Sequence, residues 1–181
     1  RNNGHYFDTP SEKEYIRKTK EYCCYVSLDY NNELKNIYSS RCYYSDDIYI
    51  SLLEEMIMCP EILFRPELFS INEDGIHKMI LNSIDKCNID IHSDLLKRIY
   101  ISGGTTKFEG FGKRLENEIR SLNSKNDSNK INVMSPNHID LDICSWQGGS
   151  IVASMDAFSS SFISRDYYND GGCGIVHHLC L

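Results

Sequence analysis

The sequence predicts a layered α/β fold, and two stretches carry that expectation. In the first, the apolar segment Arg98-Ile-Tyr-Ile101 reads as a strand ending in a Gly103-Gly104 turn. Apolar residues then recur at helical spacing at Phe111, Leu115, Ile119 and Leu122. In the second, Gly148-Gly149 precedes a further helical stripe of Ile151, Val152, Met155, Phe158 and Phe162. A strand, a glycine pair and a helix, used twice, point to sheet and helix packed in layers.

The other elements follow in chain order. Residues 12–22 are charge-rich with Tyr15, Ile16 and Tyr22 at helical spacing, which predicts a helix. It runs into a strand over residues 23–30, rich in β-branched and aromatic side chains. Residues 31–47, full of Asn, Ser and Tyr, read as an irregular surface loop, and 48–53 as a second short apolar segment. Pro60 and Pro66 lie too close together to sit inside a helix, so Leu68, Phe69 and Ile71 fall on a loop. Apolar side chains on a loop either fold back onto the core or touch another molecule. Asp74 is placed to cap a helix over 74–87 with a stripe of Ile76, Ile80, Ile84 and Cys87. A second helix is expected around 93–97, a polar loop at 123–130, a strand at 131–134 and a loop at 136–142.

A length of 181 residues suits one compact domain or two small lobes. The 19 Lys and Arg against 26 Asp and Glu leave a net charge of -7, which argues against nonspecific nucleic-acid binding. No uncharged apolar run approaches the ~20 residues that span a bilayer, and no signal peptide is recognisable. The eight cysteines, at 23, 24, 42, 59, 87, 144, 173 and 180, form no CxxC, and several sit in apolar runs. That fits a reduced, cytosolic chain. Cys173, His177, His178 and Cys180 put four soft ligands within eight residues, but at a spacing that matches no common zinc module, so the tail is read as no metal site. The first residue, Arg1, hints at a piece of a longer protein.

Glycines where a strand meets a helix let backbone approach a ligand closely, and the helix N-terminus beyond favours anions. The pattern is neither a P-loop nor a Rossmann fingerprint, so on these grounds alone a tight turn without a ligand is the stronger reading.

The wording of the motifs goes further. Ser102-Gly-Gly-Thr-Thr-Lys-Phe-Glu-Gly110, followed by Lys113-Arg114-Leu115, resembles the nucleotide-cleft glycine turn and helix of the actin family. Trp146-Gln-Gly-Gly-Ser-Ile-Val-Ala-Ser154 is similar to that family's Trp-x-Gly-Gly-Ser segment, and Ile175-Val176-His177 with Cys180 to its C-terminal end. Cys24-Tyr-Val-Ser-Leu-Asp29, Cys59-Pro-Glu61 and Gly75-Ile-His77 through Asn82-Ser-Ile84 fall in the family's order. The wording Gly110-Phe-Gly-Lys-Arg-Leu115 also resembles actin-related proteins of the centractin type.

The resemblance covers this whole chain but about the C-terminal half of a full actin. It implies an actin/Hsp70/sugar-kinase fold: residues 1–71 in an outer small subdomain, 72–143 in the inner subdomain of the same lobe, and 144–181 returning to the other lobe. It implies ATP or ADP with Mg2+ or Ca2+ in an interlobe cleft, contacted here by Lys20, Glu21, Gly103, Gly104, Thr105, Lys107 and Phe108. Leu68, Phe69, Ser70 and Ile71 take the place of the family's hydrophobic plug between filament strands. The implied protein is cytoplasmic and cytoskeletal. It assembles into or caps filaments with other actin-like subunits, or serves as a nonpolymerising scaffold subunit that binds partner proteins. A small-molecule kinase of the same superfold is disfavoured by the Trp-x-Gly-Gly-Ser and Ile-Val-His segments. The phosphate loops and catalytic groups belong to the half this chain lacks, so no catalytic residue is expected here and a slow ATPase is a matter for the full-length protein. One departure stands out: the segment where actins stack a basic residue near adenine is acidic here, at Asp140 and Asp142, while Lys107 replaces a Met-like residue.

Overall fold

A computed structural model describes residues 7–45, 48–123, 131–136 and 140–179. Helix α1 (Pro10–Cys23) begins with a capping box, in which Thr9 and Glu12 satisfy each other's backbone N–H groups, and has Pro10 in its first turn. The chain then runs extended to Asp29, whose carboxylate accepts from the Asn32 N–H and starts α2 (Tyr30–Lys35). An antiparallel hairpin follows, β1 (Arg41–Ser45) with β2 (Ile48–Leu52), and then α3 (Glu55–Glu61). A 3-10 turn at Pro66–Phe69 leads to α4 (Ile76–Asp85) and α5 (Ile89–Leu96).

Strand β3 (Ile99–Tyr100), α6 (Phe111–Leu122) and β4 (Val133–Met134) come next. β3 and β4 pair in parallel, as a helical crossover between strands requires, so this region carries the α/β character. The chain closes with α7 (Cys144–Ala153), α8 (Arg165–Gly171) and the single turn α9 (Val176–Leu179).

The core forms where α6 meets the first half of the chain. Phe111, Leu115 and Ile119, spaced on one face of α6, pack with Val26, Phe64 and Ile131. Leu122, expected on the same stripe, lies at the helix end and is 51% exposed. Gly110, just before α6, has a positive φ of +83°, and a Cβ there would stand 2.4 Å from the Val26 carbonyl oxygen. Only glycine allows that approach. It lets the Val26 N–H donate to Glu109 O at 2.9 Å.

Several expectations are corrected here. Residues 24–27 form no sheet: Tyr25 N–H donates to Met56 O at 3.2 Å and Val26 N–H to Glu109 O, so the segment bonds to a helix and a turn. Pro60 does lie inside a helix. It has no N–H to return to Met56 O four residues earlier, and Tyr25 N–H takes that acceptor instead. Residues 31–47 hold α2 and β1 rather than an irregular loop. Gly75, not Asp74, starts α4, and Asp74 accepts from the Asn82 side chain at 3.3 Å. Cys87 is exposed rather than part of that helix's buried stripe. Gly148 and Gly149 sit within α7, not in a turn after a strand. Most of the polar loop expected at 123–130, part of that at 136–142, and Cys180 lie outside the described residues.

His77 on α4 is buried with its ring stacked on Phe64, and among the described residues its Nδ1 has no partner. Burial holds its pKa below the ordinary imidazole value. Glu118 acts in the opposite direction, Lys78 and Arg114 reinforce the lowering, and Glu67 weakly opposes it. The native state therefore binds fewer protons at this site than the unfolded chain. The stability it contributes is complete above the unfolded pKa of about 6.5 and is lost as pH falls through that value toward the depressed one. Urea midpoints measured from pH 7.5 to 5 are expected to fall, and to fall less in His77→Phe, which keeps the ring and loses the titration.

Candidate nucleotide site

After β3, Gly103 has φ +94°, and the next residues wind into a 3-10 turn over Gly104–Lys107. Thr106 locks the turn, its N–H and hydroxyl both donating to Gly103 O, at 3.0 and 2.8 Å. Gly103 N–H donates to Leu141 O at 2.6 Å, which draws the acidic segment beside the turn. Opposite stands the last part of α1.

These walls enclose a cavity of about 430 Å³ lined by Arg17, Lys20, Glu21, Gly104, Thr105, Lys107, Phe108 and Asp142. The volume falls in the range of small-molecule sites. Six of the seven nucleotide-contacting residues expected from the sequence line it. Gly103 does not, and instead sets the turn from behind. Gly104 leaves its side open: a Cβ there would come no nearer than 3.9 Å to any other group, the Asp142 Cβ.

Two lining residues were not expected. Arg17 is one turn from Glu21 on α1 and ion-pairs with it at 2.7 Å and with Glu14 at 2.6 Å. Its charge is reinforced first by the Glu14 hydrogen bond. Its i–4 relation to Glu21 was the available signal. Asp142 was visible only as an acid where a base belongs.

Lys107 Nζ lies 2.7 Å from Asp140 Oδ1 and 3.4 Å from Asp142 Oδ2, so Lys107 brings a cation to the acidic segment at the cavity. The hydrogen bond to Asp140 raises the Lys107 pKa, and the same contact lowers that of Asp140. The cavity thus offers ammonium and guanidinium donors, a Glu21 carboxylate able to accept hydroxyl groups, and the aromatic ring of Phe108. Among the described residues, no three His, Cys, Asp or Glu gather as a metal site.

The segment Leu68–Ile71 forms the end of the 3-10 turn and its exit rather than an irregular loop. Leu68 is 46% and Ile71 39% exposed, Phe69 is half-buried, and Ser70 adopts a left-handed conformation at φ +58°.

A glycine turn facing a helix across a cavity is a concave arrangement of the kind that takes small molecules. The chain belongs to the actin family, whose model, described as Actin, matches residues 1–181. Its fold is accordingly that of the actin/Hsp70/sugar-kinase class. No helix among the described residues is long and apolar enough to cross a membrane.

Proposed function

We propose that the complete protein binds ATP or ADP, with Mg2+ or Ca2+, between two lobes, and that nucleotide state controls its assembly into, or capping of, cytoplasmic actin-like filaments. The observation that supports this best is the cavity, where Lys20 and Glu21 from α1 converge with Gly104, Thr105, Lys107 and Phe108 from the glycine turn. These residues fit the nucleoside end of such a ligand: Glu21 to the ribose, the turn backbone and Phe108 to the base. The bound metal would serve the phosphates, which this chain's residues do not surround.

The domain reading is consistent with packing. Val26 and Phe64 share one core with α6, as two subdomains of a single lobe would. From Cys144 to His178, only Ile175 is buried among residues with described side chains, while Trp146 is 73%, Ile151 58% and Phe162 59% exposed. Covering such side chains is worth roughly 1.5–3 kcal/mol each, which suits a segment that returns to a second lobe.

For assembly, the exposed Leu68 and Ile71 are the contact. Leu68→Asp is expected to leave the folded monomer intact, because the side chain is half in water, and to place an unpaired charge in the subunit interface. Sedimentation of the complete protein with ATP and magnesium checks this: wild type pellets and Leu68→Asp stays in the supernatant. A wild type that never pellets favours the nonpolymerising scaffold subunit, and a variant that pellets like wild type removes the plug contact.

A further inference from the structure

We propose that Cys24 and Cys59 form an oxidant-sensitive dithiol that closes reversibly to a disulfide. The two residues are far apart in sequence, and the fold brings them together through the Pro60 exception. With Met56 O accepting from Tyr25 N–H at 3.2 Å, the chain beyond α1 is pinned along α3. Cys24 Sγ then sits 3.9 Å from Glu55 O. Cys59 follows Glu55 by one helical turn, and side chains on a helix lean back toward the preceding turn, so its sulfur comes to the same spot. There the two thiol groups are near enough to shift each other's ionisation.

The two sulfurs differ in the way an attacking and a resolving cysteine must. Cys59 is exposed to solvent, whereas Cys24 is buried. The neighbouring Cys24 side chain lowers the Cys59 thiol to about 7; desolvation opposes this and the Lys20 ammonium assists. Cys24 is pushed up by its Cys59 neighbour and by burial. An accessible thiolate beside a buried thiol is the arrangement that hydroperoxides oxidise selectively.

The chemistry balances with hydrogen peroxide as oxidant. The Cys59 thiolate attacks one peroxide oxygen, the O–O bond breaks, and hydroxide leaves to become water, giving the Cys59 sulfenic acid. The Cys24 sulfur then attacks Cys59 Sγ, the S–O bond breaks, and the second oxygen departs as water with the Cys24 proton. Two thiols and one peroxide become one disulfide and two waters, the two electrons passing from sulfur to oxygen. The bond would tie the end of α1, which carries Lys20 and Glu21, to α3. The site itself does not depend on the nucleotide reading.

The test uses the complete reduced protein, treated with hydrogen peroxide at pH 7, alkylated and mapped by peptide mass. The expected result is a Cys24–Cys59 crosslinked peptide that dithiothreitol reverses and that forms before Cys87 or Cys173 is modified. In Cys24→Ala the crosslink is absent, Cys59 is trapped as a sulfenic acid by dimedone, and its alkylation at pH 7 slows several-fold because the neighbouring thiol is gone. Overoxidation of Cys59 without the crosslink in wild type, or alkylation of Cys59 unaffected by Cys24→Ala, would overturn the proposal.

Discussion

Arg114→Ala is expected to destabilise the protein by about 3–5 kcal/mol, the cost of leaving one member of a buried ion pair uncompensated. The Arg114 and Glu61 side chains are 5% and 0% exposed and meet through two parallel bonds, Nη2 to Oε1 at 2.9 Å and Nη1 to Oε2 at 3.2 Å. Arg114 Nη1 also donates to Ser27 O, and Nε to Glu118 Oε1 at 2.6 Å, with the guanidinium 5.1 Å from the centre of the Phe64 ring. Burial pushes the Glu61 carboxyl up, and Arg114 works against it. Burial likewise opposes the Arg114 charge, but the bonds to Glu61 and Glu118 outweigh it and hold its pKa above the usual guanidinium value.

One side chain thereby joins three motifs, Cys24–Asp29, Cys59–Glu61 and Gly110–Leu115. Urea unfolding of Arg114→Ala, Glu61→Ala and the double variant measures this. A coupling of about 1–3 kcal/mol is expected, with the double variant losing less than the sum of the singles. Additive losses would mean that the two residues act separately.

The parts of this architecture differ in how far they could be read from residues alone. Phe111, Leu115 and Ile119 announce α6 because their spacing is that of a helix face, and the face is buried as read. The glycine turn was legible for a similar reason: no other residue adopts φ +94° at Gly103 without strain. Residues 24–27 were not legible as a non-sheet segment, because their β-branched and aromatic content reports extended backbone, not which groups will accept its hydrogen bonds. Pro60 misled because the rule against proline in helices assumes that the orphaned carbonyl stays orphaned. The sequence raised Lys107 as a substitute charge, but its ion pairs with Asp140 and Asp142 were not legible, because those residues are more than thirty apart in sequence and meet where Gly103 N–H bonds to Leu141 O.

The second large effect concerns the cavity. Gly104 has ordinary backbone geometry and an open side, so Gly104→Val is expected to fold like wild type while its methyl groups enter the space proposed for the nucleoside. Affinity should fall at least about tenfold, or roughly 1.4 kcal/mol. Lys107→Met is a milder companion, since its ion pairs are exposed and worth little to stability. It would leave Asp140 and Asp142 uncompensated beside an anionic ligand and weaken binding in a salt-dependent way.

Calorimetric titration of ATP with magnesium into the complete protein, wild type against Gly104→Val, tests the account most directly. One nucleotide should bind per wild-type chain, and affinity should fall at least about tenfold in the folded variant. Equal affinity in the two proteins, with circular dichroism and urea midpoint unchanged, would contradict it.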